Sequence, residues 1–411
     1  MDTKNQKFKM LFISKDKYPT FRVDVADLFG DKMVSKGHEI DWLLQSGNDC
    51  RSAYSTRWSG GDVWVGRTNN GTTRLARVKK HCFGILNDLR LFSLANKERY
   101  DFIQVKDKFI SALIGLVASK IYGTRFFFWL SFPYPEEALL NVKEGTARYP
   151  VYSYIQGQVL KFVLYHMIGR YADHIFVQSE KMKSDVAEEG VPLEKLTAVP
   201  MGVSVENVSV TPATEDCLVD KSRFAIVYLG TLNKTRKLEF VVSVFAKVRD
   251  VLPHSMLYFV GDGDDPSDRK LLEFEAARLG VSNDVVFTGF LPREQALAYV
   301  KESDVCLSPF FPTPILNSTS PTKLIEYMAM GAAVVANDHP EQRLVIAESG
   351  GGICVPYDEN KFSEAIVYLL NNPDTAQEMG RNARQYVLEK RSYNVIADKL
   401  EETYLNLCHT P

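Results

Sequence analysis

The chain has 411 residues, enough for two domains of ordinary size, each with its own core. Hydrophobic residues make up 45%, charged residues 24%, and the net charge is −2. That is ordinary globular composition, with nothing in the balance to suggest bulk nucleic-acid binding.

The opening MDTKNQKFKMLFIS has an apolar run too short for a signal-peptide core and reads as a first strand. Strand-like runs follow at 38–44, 62–66, 102–106, 125–131 and 174–179, with helical patterns at 22–36, 108–122 and 181–189 between several of them. Short apolar strands alternating with helices imply a parallel sheet covered on both faces. Residues 204–222 are polar, hold a proline and keep no period, so they read as a linker. The alternation then restarts, with strands expected at 224–230, 255–261, 284–290, 304–310, 332–338 and 352–357. Helices are expected at 238–250, 268–279, 292–302, 321–330 and 341–348, and from about 361 onward the pattern is helical throughout. The expected fold is α/β, with two doubly wound domains at 1–203 and 223–385 and a terminal helical segment at 386–411. No segment reaches the apolar length of a membrane span. The six cysteines, Cys50, Cys82, Cys217, Cys306, Cys354 and Cys408, are far apart and form no C-x-x-C. They suggest a reducing, cytoplasmic setting rather than a disulfide framework or a zinc site.

In open α/β sheets, ligands bind beyond the carboxyl ends of the strands. One such stretch is NSTSPTKLIEYMAMG, residues 317–331. Ser320 is a good N-cap and Pro321 suits the first helical position. The first-turn N–H groups, the helix dipole and Lys323 together would attract an anion. Glu326 falls on the same helical face, and a carboxylate can grip two adjacent hydroxyls such as those of a ribose. In YLGTLNKTRKLEF, Gly230 makes a turn and Arg236 and Lys237 open the next helix, a cationic loop suited to a diphosphate. VGDGDD after the next strand brings a glycine pair to the same edge. The plain alternative for each is a solvated pair or an ordinary turn, and the convergence of three loops carries the argument.

Taken with VVFTGFLPREQALAYVKESDVCLSP and SGGGICVPY, these segments resemble the donor half of retaining nucleotide-sugar glycosyltransferases of the GT-B fold, glycosyltransferase family four. The first domain is similar through GHEIDWL, YADHIFVQSEKMKSDVAEEGV and VPMGV. The resemblance implies two Rossmann-like domains facing across a cleft and a terminal helix returning to the first domain. It implies a UDP or GDP sugar as donor substrate, with no metal or other cofactor. Arg236 and Lys237 would meet the diphosphate, Gly289 and Phe290 would lie by the base, and Glu326 would hold the ribose. Ser318, Thr319 and Ser320 would sit at the phosphates. The chain departs from the family at Ser318, where a glutamate is usual, and at Ser131, where a histidine is usual. Thr231 fills an arginine slot.

In the first domain, Arg22, Lys106, Asp107, Ser131 and Glu136 lie in strand-end loops and are the candidate catalytic groups. Residues 74–92, RLARVKKHCFGILNDLRLF, set Leu75, Val78, Cys82, Ile85, Leu86, Leu89 and Phe92 at helical spacing beside basic residues. Such a helix suits the surface of a membrane and a lipid-linked or polysaccharide acceptor, although a stripe packed on the sheet is the plainer reading. The expected function is transfer of a sugar with retention. The rivals are a sugar-nucleotide epimerase on the same fold and an inactive transferase-like partner protein.

Overall fold

The computed structural model describes residues 6–409 except 21, 49, 69, 70, 72, 207–218 and 264. Most of the linker read at 204–222 therefore lies outside the described residues. The chain divides into two compact units. One comprises 1–200 with 396–411, the other 201–395.

The first unit is built on an eight-stranded sheet in the order β3-β4-β2-β1-β5-β6-β7-β8. Its strands are β1 (Lys9–Tyr18), β2 (Glu39–Ser46), β3 (Tyr54–Trp58), β4 (Gly61–Gly66), β5 (Phe102–Lys106), β6 (Arg125–Leu130), β7 (His174–Val177) and β8 (Leu196–Ala198). All neighbours are parallel except the β3–β4 hairpin. Sequence reading missed β3 and β8. β3 is short and mostly exposed, so it shows no apolar run, and β8 has three residues.

Its helices are α1 (Val23–Val25), α2 (Arg74–Asp88), α3 (Arg90–Lys97), α4 (Phe109–Tyr122), α5 (Tyr134–Lys143), α6 (Pro150–Phe162), α7 (Gly169–Tyr171) and α8 (Glu180–Glu188). α1 runs into a π-helical stretch, Ala26–Met33, and a second one, Val163–Ile168, joins α6 to α7. The expected single helix over 74–92 is two helices that break at Leu89. Right-handed crossovers place α2, α4 and the 163–168 stretch on one face. The core there centres on Leu11, Ile13, Val105 and Phe128. An aromatic group lies on the other, where Phe8, Phe102, Phe127 and Phe176 meet Tyr404 of the last helix.

The second unit is a six-stranded parallel sheet in the order β11-β10-β9-β12-β13-β14. These are β9 (Phe224–Leu229), β10 (Ser255–Val260), β11 (Val285–Phe287), β12 (Val305–Ser308), β13 (Val334–Asn337) and β14 (Ile353–Val355). The helices are α9 (Glu239–Val251), α10 (Pro266–Arg278), α11 (Arg293–Lys301), α12 (Pro314–Asn317), α13 (Thr322–Ala329), α14 (Pro340–Ser349), α15 (Glu359–Asn371) and α16 (Pro373–Tyr386). α17 (Tyr393–His409) then carries the chain into the first unit, where Tyr404 donates to Gln104 and Glu401 takes Lys36 at 2.7 Å and His38 at 2.7 Å.

Strand order reverses at β1/β5 in the first unit and at β9/β12 in the second. These two crevices are where such sheets bind ligands.

α16 crosses the turn after α13 so closely that a methyl group at Gly380 would run into the Gly331 carbonyl. All four tryptophans, Trp42, Trp58, Trp64 and Trp129, lie in the first unit. Gly380→Ala is expected to cost the second unit about 1–3 kcal/mol. In urea unfolding it should lower the transition seen by far-UV circular dichroism and leave the tryptophan fluorescence transition in place.

Candidate active site

In the second unit the site is assembled on two glycine turns. Gly230 follows β9 with φ 143° and Gly261 follows β10 with φ 134°, conformations that side chains rarely adopt. They stack, so that a side chain at 261 would strike the Gly230 carbonyl. Gly289, φ 73°, pairs with Gly261 across an isolated bridge, which draws the loop after β11 into the same edge. Phe290 beside it is almost fully exposed.

α13 is pinned to this edge by Tyr327. Its hydroxyl accepts from Leu229 N at 2.7 Å and donates to Leu229 O at 3.3 Å. One turn earlier, Lys323 is buried and reaches the Gly230 turn. Its Nζ donates to Tyr228 Oη at 2.8 Å and lies 4.2 Å from the centre of the Tyr228 ring. Burial pushes this ammonium well below its usual range, Arg236 adds to the shift, and Glu326 opposes it. Burial lifts the Tyr228 hydroxyl to about 12, while Arg236, which also bonds it, pulls the other way. Two cations thus converge on one phenol at the β9/β12 switch point. Lys237 follows in left-handed conformation, φ 52°.

Two sequence expectations are corrected here. Ser320 does not cap α13. Pro321 occupies the cap position without a side-chain bond, and Ser320 Oγ accepts from Met201 N at 3.0 Å. The Thr319 N–H and hydroxyl both go to the Leu316 carbonyl, at 3.0 and 2.7 Å, so neither points outward to a phosphate. Ser318 ends α12 and is buried. Glu326 is paired with Arg293 at 2.9 Å. Arg293 lies in the quoted segment VVFTGFLPREQALAYVKESDVCLSP, but its pairing was missed because it stands 33 residues before Glu326 in the chain.

In the first unit the strand-end loops form a separate polar cluster at the β1/β5 switch point. Lys106 is buried, with Nζ 2.8 Å from Asp24 and 3.3 Å from Asp16. Burial would raise the Asp24 carboxyl, but Lys106 and Arg22 outweigh it and hold it below the usual range. Arg22 Nε is 3.3 Å from Asp24, and the side chain is half exposed. Lys106 is therefore enclosed by its own carboxylates rather than presented to a ligand.

Asp107, φ 58°, turns back onto β6 and accepts from Ser131 N at 2.8 Å and from the Ser131 hydroxyl. A non-glycine residue in this conformation at a strand end is a feature of functional sites. Burial raises the Asp107 carboxyl, against Lys106 and Lys15. Lys15, its ammonium lowered by burial, bonds the Tyr134 hydroxyl. Glu136 is a third correction. Its carboxylate takes the Tyr165 hydroxyl at 2.7 Å and ties α5 to the 163–168 stretch. The neighbouring Glu137 is the one within the field of Lys15.

Residues 74–92 also differ from the plainer expectation. The stripe of Leu75, Val78, Cys82, Leu86 and Leu89 faces outward, and α2 packs instead through Ala76, Gly84, Asn87 and Asp88. Among the described residues no helix is long and apolar enough to cross a membrane, and no group of three or more His, Cys, Asp or Glu could hold a metal ion.

Two parallel-sheet Rossmann-like units, each with polar groups gathered at its switch point, define the GT-B class of glycosyltransferase. Two family models match the chain, Glycosyltransferase Family 4 over residues 25–207 and Glycosyl transferases group 1 over 223–372. The chain belongs to this family of glycosyltransferases. It is 22% identical over 309 residues to an uncharacterised glycosyltransferase of Methanocaldococcus jannaschii, covering 73% of this chain and 74% of that one. It is 22% identical over 247 residues to the alpha-monoglucosyldiacylglycerol synthase of Streptococcus pneumoniae, covering 57% and 52%. Among solved structures, sucrose-phosphate synthase of Thermosynechococcus elongatus superposes with a TM-score of 0.73 at 18% identity, covering 97% and 99%. Anabaena HepE in complex with UDP gives 0.70 at 15% identity, covering 97% and 100%. These matches favour neither an epimerase nor an inactive partner.

Two outcomes follow from the charge arrangement. Lys106→Met leaves the buried Asp24 with only the half-exposed Arg22 as its cation and should destabilise the first unit by up to about 3–5 kcal/mol. Adding Asp24→Asn should restore a large part of that, read by tryptophan fluorescence during urea unfolding. For Lys323, an arriving anion favours the charged form, so binding should take up a proton at a pH between the lowered value and the ordinary 10.5. Calorimetry of nucleoside diphosphate binding over a pH series up to 10.5, in buffers of different ionisation enthalpy, should show uptake that Lys323→Met abolishes.

Proposed function

We propose that the protein transfers a sugar from a nucleotide-diphosphate sugar to a saccharide or lipid-linked acceptor, with retention and without a metal ion. The observation that carries this is the pair of cations, Lys323 and Arg236, brought onto Tyr228 at the β9/β12 switch point with Glu326 one turn away. Such a site suits the diphosphate, which collects negative charge as the glycosidic bond breaks. Preorganised cations stabilise that transition state without reorganising. Glu326, oriented by Arg293, would take the ribose hydroxyls. Gly289 and Phe290 would lie by the base, with Lys237 and Ser318 at the edge of the phosphate site.

UDP is the first donor nucleotide to test, since HepE is a structural neighbour described with UDP. Asp107 and Ser131, held together at the first unit's switch point, are the groups we assign to the acceptor side, with Arg22 beside them. Retention follows the family and needs no protein nucleophile. A lipid-linked acceptor is supported by the name of the diacylglycerol-linked relative and by the outward apolar stripe of α2, the contact we assign to the cytoplasmic face of a membrane.

The test is a screen of UDP- and GDP-sugars with the full chain in the presence of a chelator, following release of nucleoside diphosphate. One donor should be hydrolysed slowly without acceptor. Arg236→Ala should weaken the nucleoside diphosphate far more than the bare nucleoside, and Glu326→Ala should weaken both. Loss of one charge-assisted contact is worth about 1.5–3 kcal/mol. Activity that a chelator abolishes and magnesium or manganese restores would overturn the metal-free reading. A chain that binds none of the donors would overturn the transfer itself.

A further inference from the structure

The outward stripe on α2 is one of three. α4 turns Ile110, Val117 and Ile121 to solvent, and α6 does the same with Val151, Ile155, Val159 and Phe162. Each series follows helical spacing, so each is one continuous face. The exposure is large: 65% for Leu75, 62% for Ile121 and 75% for Val151. These helices are packed by their other sides. α4 buries Ala112, Leu116 and Ser119. α6 buries Gly157, where any side chain would meet Leu139. α4 lies beside both α2 and the 163–168 stretch that continues α6, so the stripes belong to one layer of one unit. Apolar surface of this extent, left outside a completed fold, marks an interaction face.

Charge identifies the occupant. Lysine and arginine number four in α2, two in α3 and one each in α4 and α6, and the only acid on these helices is Asp88. Asp88 is buried and engaged by Lys108 and Ser111. Lys161 of α6 is paired with Glu189 at 2.6 Å. In a chain of net charge −2, this layer is cationic. A second copy would bring like charge against like. A surface of anionic headgroups over acyl chains matches both the apolar stripes and the lysines. Tyr149, Tyr152, Tyr154 and Tyr171, all exposed, add the amphipathic rings that favour a membrane–water boundary.

We propose that the outer face of α2, α4 and α6 together lies against an anionic bilayer, with the apolar stripes at the boundary of headgroups and chains. This rests on the membrane part of the proposed function and widens it from one helix to a layer. It does not depend on the transfer reaction.

The experiment is co-sedimentation of the full chain with phosphatidylcholine vesicles, with and without phosphatidylglycerol, at low salt. Wild type should sediment only with the anionic vesicles. Ile155→Ser/Val159→Ser/Phe162→Ser changes exposed side chains of α6 and should weaken partition by about tenfold or more. Lys79→Gln/Lys80→Gln should weaken it in a salt-dependent way. Tryptophan fluorescence and nucleoside diphosphate affinity, unchanged in both variants, establish that the fold is kept. Wild type that never sediments overturns the proposal, as does an α6 variant that sediments like wild type. A wild-type dimer in sedimentation velocity that the α6 variant dissolves would also overturn it, by making the face a subunit interface. Donor release is read separately, so a failure here leaves the transferase assignment standing.

Discussion

The second unit depends on keeping an amine inside a protein. An ammonium removed from water costs several kcal/mol unless something replaces its hydration. Lys323 has the Tyr228 hydroxyl, the face of the Tyr228 ring and, at 5.5 Å, the ring of Phe310. These are weak replacements, and they leave the group lowered in pKa and ready for an anion. The surrounding architecture follows from that need. The Gly230 turn makes room for the amine, Tyr327 fixes the helix that carries it, and Gly380 lets α16 press on the turn behind that helix.

The first unit treats its cation in the opposite way. Lys106 is as deeply buried as Lys323, but two carboxylates enclose it. Its charge holds the loops after β1 and β5 together and is unavailable to a ligand. The polar groups left with capacity at that switch point are the Asp107–Ser131 pair, Lys15 and Arg22. The chain thus encloses one buried lysine between carboxylates and leaves the other against aromatic rings and a phenol.

The alternation of apolar strands with helices made both sheets legible, because a parallel sheet buried on both faces requires continuous apolar runs. The glycine turns were legible because few residues tolerate those backbone angles, and the cationic loop after β9 because Arg236 and Lys237 are adjacent in the chain. Other features depend on what lies far away in the chain. Glu136 and Glu137 differ by about 100° around the helix, and only packing decides which one meets Lys15. Ser320 had the composition of a cap, but its hydroxyl found Met201, 119 residues away. The period of the α2 stripe was plain in the sequence, whereas its direction was not, because a helical repeat does not say which side faces the sheet.

The placement of residues 396–411 in the first unit makes the second unit an insertion within it. Phe8, Phe102, Phe127 and Phe176 wait for Tyr404, which is translated only after the whole of the second unit. During synthesis the first unit therefore begins before the second and is completed after it. Its aromatic face stays open while the entire second unit passes through the ribosome and folds. A chain that stops at Val395 leaves a complete second unit joined to a first unit with that face uncovered. Such a product would be retained by chaperones or aggregate rather than act as a partial enzyme.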